Sequence, residues 1–420
     1  MARANLDITG TTESDHTIPS AMSYVIVDID SDGPIPADYP MIRFSSVTGS
    51  RTRCRTATAF GLALWLLAAT SFMTCASTVD DVIAAEMKDH HILGVSLAVI
   101  ENSEIRQAKG YGFTDQSGTT PVTTSTLFQA GSVSKPVAAL GALRLVEGGR
   151  LSLDEDVNRR LKDWKVPEND FTKDEKVTLR RILSHSAGLT VHGFPGYAVG
   201  VPIPTLVQVL DGAKPANTAA IRVDVVPGST SRYSGGGYTL MQKMMIDVTG
   251  KSFPEFMQEA VLTPLRMAAS SYEQPLPNDR ARAAATGYYP DGKQVKGKWH
   301  IYPEMAAAGL WTTASDLARF AIGIQQALAG KSNPVISPSM TRQMLTAQKG
   351  ESGLGLGLDG SGKTLRFSHG GRDEGFDTFL MAYAESGQGV VIMINANDDS
   401  GAVKRMVDAV RREYNWPNPR

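Results

Sequence analysis

One stretch constrains the fold more than any other: residues 127–150, LFQAGSVSKPVAALGALRLVEGGR, predict a loop that leads directly into a helix. Apolar side chains recur there at spacings of three and four, the pattern of one helix face, and they are Val133, Val137, Leu140 and Leu143. Pro136 has no backbone N–H to donate, so it belongs in the first turn. Ser132 then lies at the helix start, where free N–H groups and the positive dipole end favour a developing anion.

Lys135 follows Ser132 by three residues, which places both side chains on the same side of the helix. A serine hydroxyl is a poor nucleophile until another group removes its proton. A lysine in a mostly apolar helix loses hydration, which disfavours the ammonium and lets the neutral amine act as a base. Long chains also contain Ser-x-x-Lys by chance, as an N-cap serine and a surface lysine, so the pair needs support from elsewhere.

The composition is that of a soluble globular protein that is longer than most single domains. The 420 residues carry a formal net charge of −1, which argues against nucleic acid as a partner. Cys54 and Cys75 are the only cysteines, so disulfides do not hold the fold together.

The order of predicted elements is a helix, two strands, a helical stretch, further strands and a final helix. This order predicts an α+β fold with one antiparallel sheet built from both chain ends and flanked by helices. We expect the sheet domain to comprise residues 77–150 and 301–420, and an inserted all-α lobe to comprise residues 151–300. A cleft between them would hold the site.

The N-terminal part contains the pattern of a secretory signal peptide, placed late in the chain. Arginines precede an apolar run at residues 57–73, and small residues follow it up to Ala76. We expect translation to start near Met41, residues 41–76 to be the leader, and residues 1–40, which are unassigned, to be untranslated. An uncleaved membrane anchor and a lipid-bearing Cys75 are the alternatives. Each of these possibilities predicts a periplasmic or secreted protein, which is attached to a membrane only through this segment if the segment is not cleaved.

A second candidate segment is residues 227–238, PGSTSRYSGGGY. Tyr233 stands just before a run of glycines, whose backbone freedom lets a substrate approach the main chain. A cationic lysine nearby pushes a phenol towards the phenolate, so Tyr233 is a candidate to carry the proton to and from Ser132. Taken alone, the segment also fits a tyrosine packed at a helix entrance.

A third candidate segment is residues 367–376, FSHGGRDEGF, which follow a predicted strand. It joins His369, two glycines and Arg372. Edge-strand backbone can line a cleft and donate an N–H to an oxyanion. Taken alone, the segment is more typical of a glycine-rich turn between strands.

The three segments occur in the order of a known set of motifs. They are Ser132-Val133-Ser134-Lys135, Tyr233-Ser234-Gly235 and His369-Gly370-Gly371. This set resembles the motifs of the serine β-lactamase and penicillin-binding-protein superfamily, most closely its class C-like branch with D,D-peptidases and esterases. The resemblance spans residues 78–415. It implies an acyl-enzyme hydrolase of carboxylic esters or D-Ala-D-Ala type peptides, with weak β-lactamase activity as a further option and no metal or organic cofactor.

Site roles follow from the resemblance by position. Ser132 would be the acylated nucleophile, Lys135 its base, and Tyr233 a second base that protonates the leaving group and activates the deacylating water. The substrate would bind beside the third motif and the residue after it, which are His369, Gly370, Gly371 and Arg372. The N–H groups of Ser132 and Arg372 would form the oxyanion hole. His185 is expected to fix a loop rather than to act in catalysis.

Two departures from the family pattern argue against an efficient β-lactamase. Gly235 stands where many relatives have asparagine, and His369 stands where β-lactamases have a lysine for the substrate carboxylate. Arg372 is the candidate replacement for that cation. On this hypothesis, Arg372→Ala slows carboxylate-bearing substrates more than neutral esters.

Two other functions fit parts of the sequence. A catalytically silent, cell-wall-binding relative would keep the fold and lose turnover, which the retained Ser132, Lys135 and Tyr233 argue against. Residues 357–364, GLDGSGKT, match the P-loop pattern of nucleotide-binding proteins letter for letter. A P-loop needs a helix after it to hold phosphate, whereas residues 365–368 predict a strand, so nucleotide binding is disfavoured.

Overall fold

The computed structural model describes residues 78–331 and 335–417. The predicted leader at residues 41–76, its start at Met41 and the unassigned residues 1–40 all lie outside this part of the chain. Within the described ranges, no helix has both the length and the apolar character needed to cross a membrane.

The centre of the fold is a six-stranded antiparallel sheet. Its strands are β1 (Gly94–Glu101), β2 (Glu104–Gly112), β3 (Gly357–Asp359), β4 (Arg366–Asp373), β5 (Phe376–Tyr383) and β6 (Gly389–Ile394). They lie in the order β2-β1-β6-β5-β4-β3. Val95 of β1 pairs with Ile394 of β6, so the two chain ends meet at the middle of the sheet. The predicted α+β fold is confirmed.

Helices form most of the remaining regular structure. They are α1 (Val79–Asp89), α2 (Ser134–Glu147), α3 (Leu179–Leu183), α4 (Leu206–Asp211), α5 (Gly235–Thr249), α6 (Phe253–Met257), α7 (Asn278–Ala281), α8 (Met305–Ala308), α9 (Ala314–Leu328), α10 (Pro338–Met344) and α11 (Ala402–Glu413).

Helices cover both faces of the sheet. Alternate side chains of β1 enter two hydrophobic clusters, with Val95, Leu97 and Val99 in one and Ala98 and Ile100 in the other. The first cluster includes residues of α1 and α11, and the second includes residues of α2 and α9. A strand covered on both sides has no polar face, which explains why β6 is buried at every position.

The second cluster continues from the sheet through α2 into α3 and α5. Within residues 151–300, a two-residue strand, Tyr197–Ala198, pairs with His300–Ile301. The division into a sheet domain and a separate helical lobe, with boundaries at residues 150 and 300, stays a prediction.

The P-loop-like segment does not have the surroundings of a nucleotide site. It begins with β3 and ends with a single 3₁₀ turn, Gly362–Thr364, after which the chain enters β4. A P-loop holds phosphate at the N-terminus of a following helix. Because a strand stands in that place, this segment gives no support for nucleotide binding.

Candidate active site

Ser132 lies in a short 3₁₀ turn, Gly131–Val133, that leads directly into α2. Gly131 has a φ of +51°, and a Cβ there would lie 2.5 Å from the Arg372 nitrogen, so glycine is required for β4 to approach the turn. The sequence predicts one apolar face for α2, but the helix is buried on nearly all sides because it packs against α5, α6 and α8. Lys135 is consequently only 1% exposed.

Lys135 and Ser132 are in direct contact. The Lys135 Nζ donates to the Ser132 Oγ at 2.8 Å and to the Ala307 carbonyl oxygen at 2.8 Å. Burial disfavours the ammonium and lowers the pKa of Lys135 to about 7. A large share of the lysine is therefore neutral near neutral pH and able to accept a proton from the serine.

Tyr233 completes the cluster, with its ring centroid 4.9 Å from the Lys135 Nζ. Its phenol hydrogen-bonds to the Ser132 side chain, which lowers the pKa of Tyr233, but burial raises that pKa by more. The expectation that Lys135 pushes the phenol towards the phenolate is therefore wrong for the free protein. The loss of water around the ring outweighs the hydrogen bond with the Ser132 side chain, which is the one interaction that favours the phenolate.

Two histidines hold the ring of Tyr233. His185 stacks on it with centroids 4.2 Å apart, and His192 lies 4.8 Å from it. The Nδ1 of His185 also accepts the Ser234 N–H at 3.2 Å, so His185 fixes the start of α5 and the tyrosine together. No sequence motif marks His192, which reaches the site only because its loop folds over the ring.

The third motif lies within β4 and is not a turn after a strand. Among the described residues, β3 pairs only with residues 366–368 of β4, so residues 369–373 have one edge free of strand pairing. A Cβ at Gly371 would lie 2.1 Å from the Ala130 oxygen and 2.9 Å from the Ser132 nitrogen. The strand can therefore lie against the serine turn only with glycine at this position.

Side chains alternate along β4, which sorts the predicted binding residues into two faces. His369 shares the face of Gly371 and points to the site, with its ring 6.2 Å from that of Tyr233. Burial and the nearby Lys135 lower the pKa of His369, so it is neutral at neutral pH. Gly370 belongs to the other face, where its nearest neighbour is Phe379.

Arg372 also has its side chain on that other face. Its guanidinium donates to both Asp377 oxygens at 2.8 and 2.7 Å, to Asp399 at 2.7 Å and to the Asp398 carbonyl oxygen at 2.8 Å. The hypothesis that Arg372 replaces the missing cation is therefore wrong, and with it the reason for a selective effect of Arg372→Ala. Its backbone N–H remains the candidate oxyanion donor.

Gly235 departs from the family pattern for a local reason. A Cβ there would lie 3.0 Å from the His192 oxygen and 3.1 Å from the Phe194 ring. An asparagine in this position would have to displace the loop that holds Tyr233. The close approach of the loop that contains His192 therefore depends on having glycine at position 235.

This combination of fold and site is that of the serine β-lactamase and penicillin-binding-protein superfamily. A family model, Beta-lactamase, matches residues 79–413, and the chain belongs to that family. The resemblance found in the sequence is confirmed.

Individual relatives are distant. Protein flp of Staphylococcus aureus (strain N315) is 24% identical over 337 residues, covering 76% of this chain, and the chain spans only 63% of the length of flp. The octameric penicillin-binding protein homologue from Pyrococcus abyssi is similar with a TM-score of 0.66 and 23% identity, over 80% of this chain and 77% of that one. A β-lactamase/D-alanine carboxypeptidase from Pseudomonas syringae is similar with a TM-score of 0.63 and 20% identity, over 81% of this chain and 99% of that one. At these identities, the structures establish the fold alone.

Proposed function

We propose that this protein is a serine hydrolase that forms an acyl-enzyme on Ser132 and acts on carboxylic esters or D-amino-acid peptides. The observation that carries the proposal is the buried Lys135 Nζ at 2.8 Å from the Ser132 Oγ. Membership of the Beta-lactamase family supports it. The leader pattern in the sequence supports a periplasmic or secreted location.

Acylation begins when the neutral Lys135 takes the Ser132 hydroxyl proton. The Oγ then bonds to the acyl carbon, and the N–H groups of Ser132 and Arg372 stabilise the oxyanion. As the carbonyl reforms, the bond to the leaving group breaks. Tyr233 gives that group its proton and is reprotonated by the Lys135 ammonium, which returns the lysine to its neutral form. In deacylation, water takes the place of the leaving group and the proton path runs in reverse. Tyr233 passes its proton to the neutral Lys135 and takes one from the water, whose oxygen bonds to the acyl carbon; the Ser132 Oγ then leaves with a proton from the Lys135 ammonium, and the acid is released.

Neutral esters fit this site better than carboxylate-bearing substrates. D-Ala-D-Ala peptides and β-lactams present a carboxylate, which a cation beside the third motif would bind. His369 is neutral here, and the Arg372 guanidinium is held by Asp377 and Asp399 on the other face of β4. We therefore propose esters as the preferred class and D-peptides as the second.

Restoring a cation should change that preference. We expect His369→Lys to raise the ratio of kcat/KM for nitrocefin to kcat/KM for p-nitrophenyl butyrate by about tenfold, equivalent to about 1.4 kcal/mol. The reason is a new ammonium on the face of β4 that points to Ser132. His369→Gln, which adds no charge, is the matched control. If both variants shift the ratio equally, the absence of a cation at position 369 does not explain the preference for neutral esters.

The rate of Ser132 acylation should rise with pH through about 7, the pKa of Lys135. Below that pH the lysine is an ammonium and cannot accept the proton, and above it the amine is free to do so. Labelling rates with a fluorophosphonate across about pH 5 to pH 9 measure this dependence. A flat profile over the range would contradict the assignment of Lys135 as the base.

Intact-mass analysis tests the proposal as a whole. Incubation with a fluorophosphonate should add the mass of the reagent less HF, because fluoride leaves as the Oγ–P bond forms, and a penicillin that opens on Ser132 should add its whole mass. Neither reagent should add mass to Ser132→Ala. A panel of p-nitrophenyl esters, nitrocefin and D-Ala-D-Ala peptides then ranks the substrates. A folded wild-type protein without any adduct would refute the hydrolase and favour a catalytically silent relative.

A further inference from the structure

A basic surface pocket of about 390 Å³ lies at the opposite end of α2 from Ser132. Its lining includes Arg150, Arg159, Arg160, Lys162, Asp247 and Val248. Arg150 follows the last turn of α2, whereas Ser132 precedes the first. Because α2 has 14 residues, its two ends are about 21 Å apart. The pocket is therefore separate from the candidate active site.

Contacts with the end of α5 join the segments that form the pocket. The Arg150 guanidinium donates to the carbonyl oxygen of Val248, one residue before the last of α5. The backbone N–H of Lys162 donates to the Asp247 carboxylate at 3.0 Å. Three stretches of the chain that are distant in sequence are thus held around one space.

Carboxylates neutralise only part of the positive charge in the lining. Arg160 pairs with Glu155 at 2.6 Å. Asp247 is 7% exposed, and its two oxygens accept the Lys243 Nζ at 2.5 Å and the Lys162 backbone N–H. Three cations of the lining have no carboxylate partner among the described residues, and they are Arg150, Arg159 and Lys162. The pocket therefore carries a surplus of positive charge, although the whole chain has a formal net charge of −1.

Helix capping does not account for this surplus. Basic side chains near a helix C-terminus bind its free carbonyl groups, and Arg150 does so on α5. Arg159 ends a single 3₁₀ turn and Lys162 lies beyond it, and both residues are exposed. In the part of the chain that the structure describes, neither side chain donates to a carbonyl oxygen. Like charges around one space repel each other, so an anion bound between them would be stabilising.

We propose that this pocket binds a phosphate monoester, either a small soluble molecule or the headgroup of a lipid. Guanidinium groups match the oxygens of phosphate in a bidentate geometry, and an ammonium adds a point charge. A phosphate monoester carries about −1.5 to −2 charges near neutral pH, which suits three unpaired cations better than the single charge of a carboxylate. The volume lies within the range of about 300–1,000 Å³ that is usual for small-ligand sites. The inference goes beyond the proposed function and does not depend on it.

Calorimetric titration of the full chain with glycerol 3-phosphate, in phosphate-free buffer, tests the inference. Arg159→Gln/Lys162→Gln should raise the Kd about tenfold or more, because it removes two of the unpaired cations. The Lys162 backbone N–H that contacts Asp247 remains in this variant. Acetate should bind more weakly than glycerol 3-phosphate, and glycerol, which has no charge, should not bind.

Arg342→Gln/Lys363→Gln is the matched control. It removes the same two charges from exposed positions outside the pocket lining, so the Kd should stay at the wild-type value. Equal weakening by the two double variants would show a general effect of surface charge and overturn the inference. If Arg159→Gln/Lys162→Gln does not fold, each single variant is titrated and should raise the Kd about threefold; no rise in either would overturn it.

Sedimentation with vesicles distinguishes the two sources of the phosphate. The vesicles are phosphatidylcholine with and without phosphatidic acid, whose headgroup is a phosphate monoester. Binding to phosphatidic acid alone, lost in Arg159→Gln/Lys162→Gln, assigns a lipid headgroup, whereas binding of glycerol 3-phosphate assigns a soluble ligand. A wild type that binds neither, or that binds acetate as tightly as glycerol 3-phosphate, would refute the phosphate site. Each of these results leaves the acylation of Ser132 untouched as a question.

Discussion

Lys135→Met is expected to slow the acylation of Ser132 by about two to four orders of magnitude, the usual contribution of a positioned general base. Methionine keeps the length of the side chain in the buried helix and removes only the amine that contacts the Ser132 Oγ. Fluorophosphonate labelling and ester turnover both measure the loss. Acylation at the wild-type rate would show that another group removes the serine proton.

Thermal unfolding separates this catalytic loss from a structural one. Lys135 is 1% exposed and buries an amine whose charged form is costly to desolvate. An apolar side chain of similar volume carries no such cost. The melting temperature of Lys135→Met should therefore equal or exceed that of the wild type, so a low activity cannot be attributed to unfolding.

Tyr233→Phe is expected to lower turnover of alkyl esters by about a hundredfold, in the range of a lost proton donor. Phenylalanine keeps the ring that stacks on His185 at 4.2 Å and loses only the hydroxyl that contacts Ser132. Because p-nitrophenolate leaves without needing a proton, p-nitrophenyl esters should be affected much less. The values of kcat/KM for an alkyl ester and its p-nitrophenyl counterpart measure the difference, because kcat/KM reports acylation and excludes the deacylation step that the two esters share.

Tyr238→Phe is the matched control for this variant. Tyr238 is also close to Lys135, with its ring 5.8 Å from the Nζ, but its hydroxyl donates to the Leu183 carbonyl oxygen at 3.1 Å. Loss of the Tyr238 hydroxyl should leave the ratio of the rates on the alkyl and p-nitrophenyl esters unchanged. Equal slowing of both esters by Tyr233→Phe would mean that Tyr233 does not protonate the leaving group.

The sequence predicts those parts of the site that depend on local spacing. Ser132 and Lys135 are three residues apart at the start of one helix, so local geometry alone brings them together. The centre of the sheet was predictable because β1, β5 and β6 are short, mainly apolar and bounded by turn residues. The turn after β1, with Asn102 and Ser103 at positive φ, also marks the hairpin with the more polar β2.

The remaining features depend on contacts between distant segments. The protonation of Tyr233 is set by burial under His185 and His192, and nothing local to the tyrosine encodes that burial. The role expected of Arg372 failed because the strand runs through the motif, and alternation turns its side chain away from the site. A strand predicted to extend as far as Asp373 would have placed the Arg372 side chain on the face away from Gly371.

The pairing of Val95 with Ile394 has a consequence for how the protein is made. While the ribosome is still adding residues before β6, the inner edges of β1 and β5 have no strand between them, and their N–H and C=O groups stay unpaired. The serine turn and α2 have by then left the ribosome, but the sheet against which they lie is incomplete. Assembly of the site around Ser132 therefore waits for β6, and truncation before residue 389 would remove the proposed activity without removing Ser132, Lys135 or Tyr233.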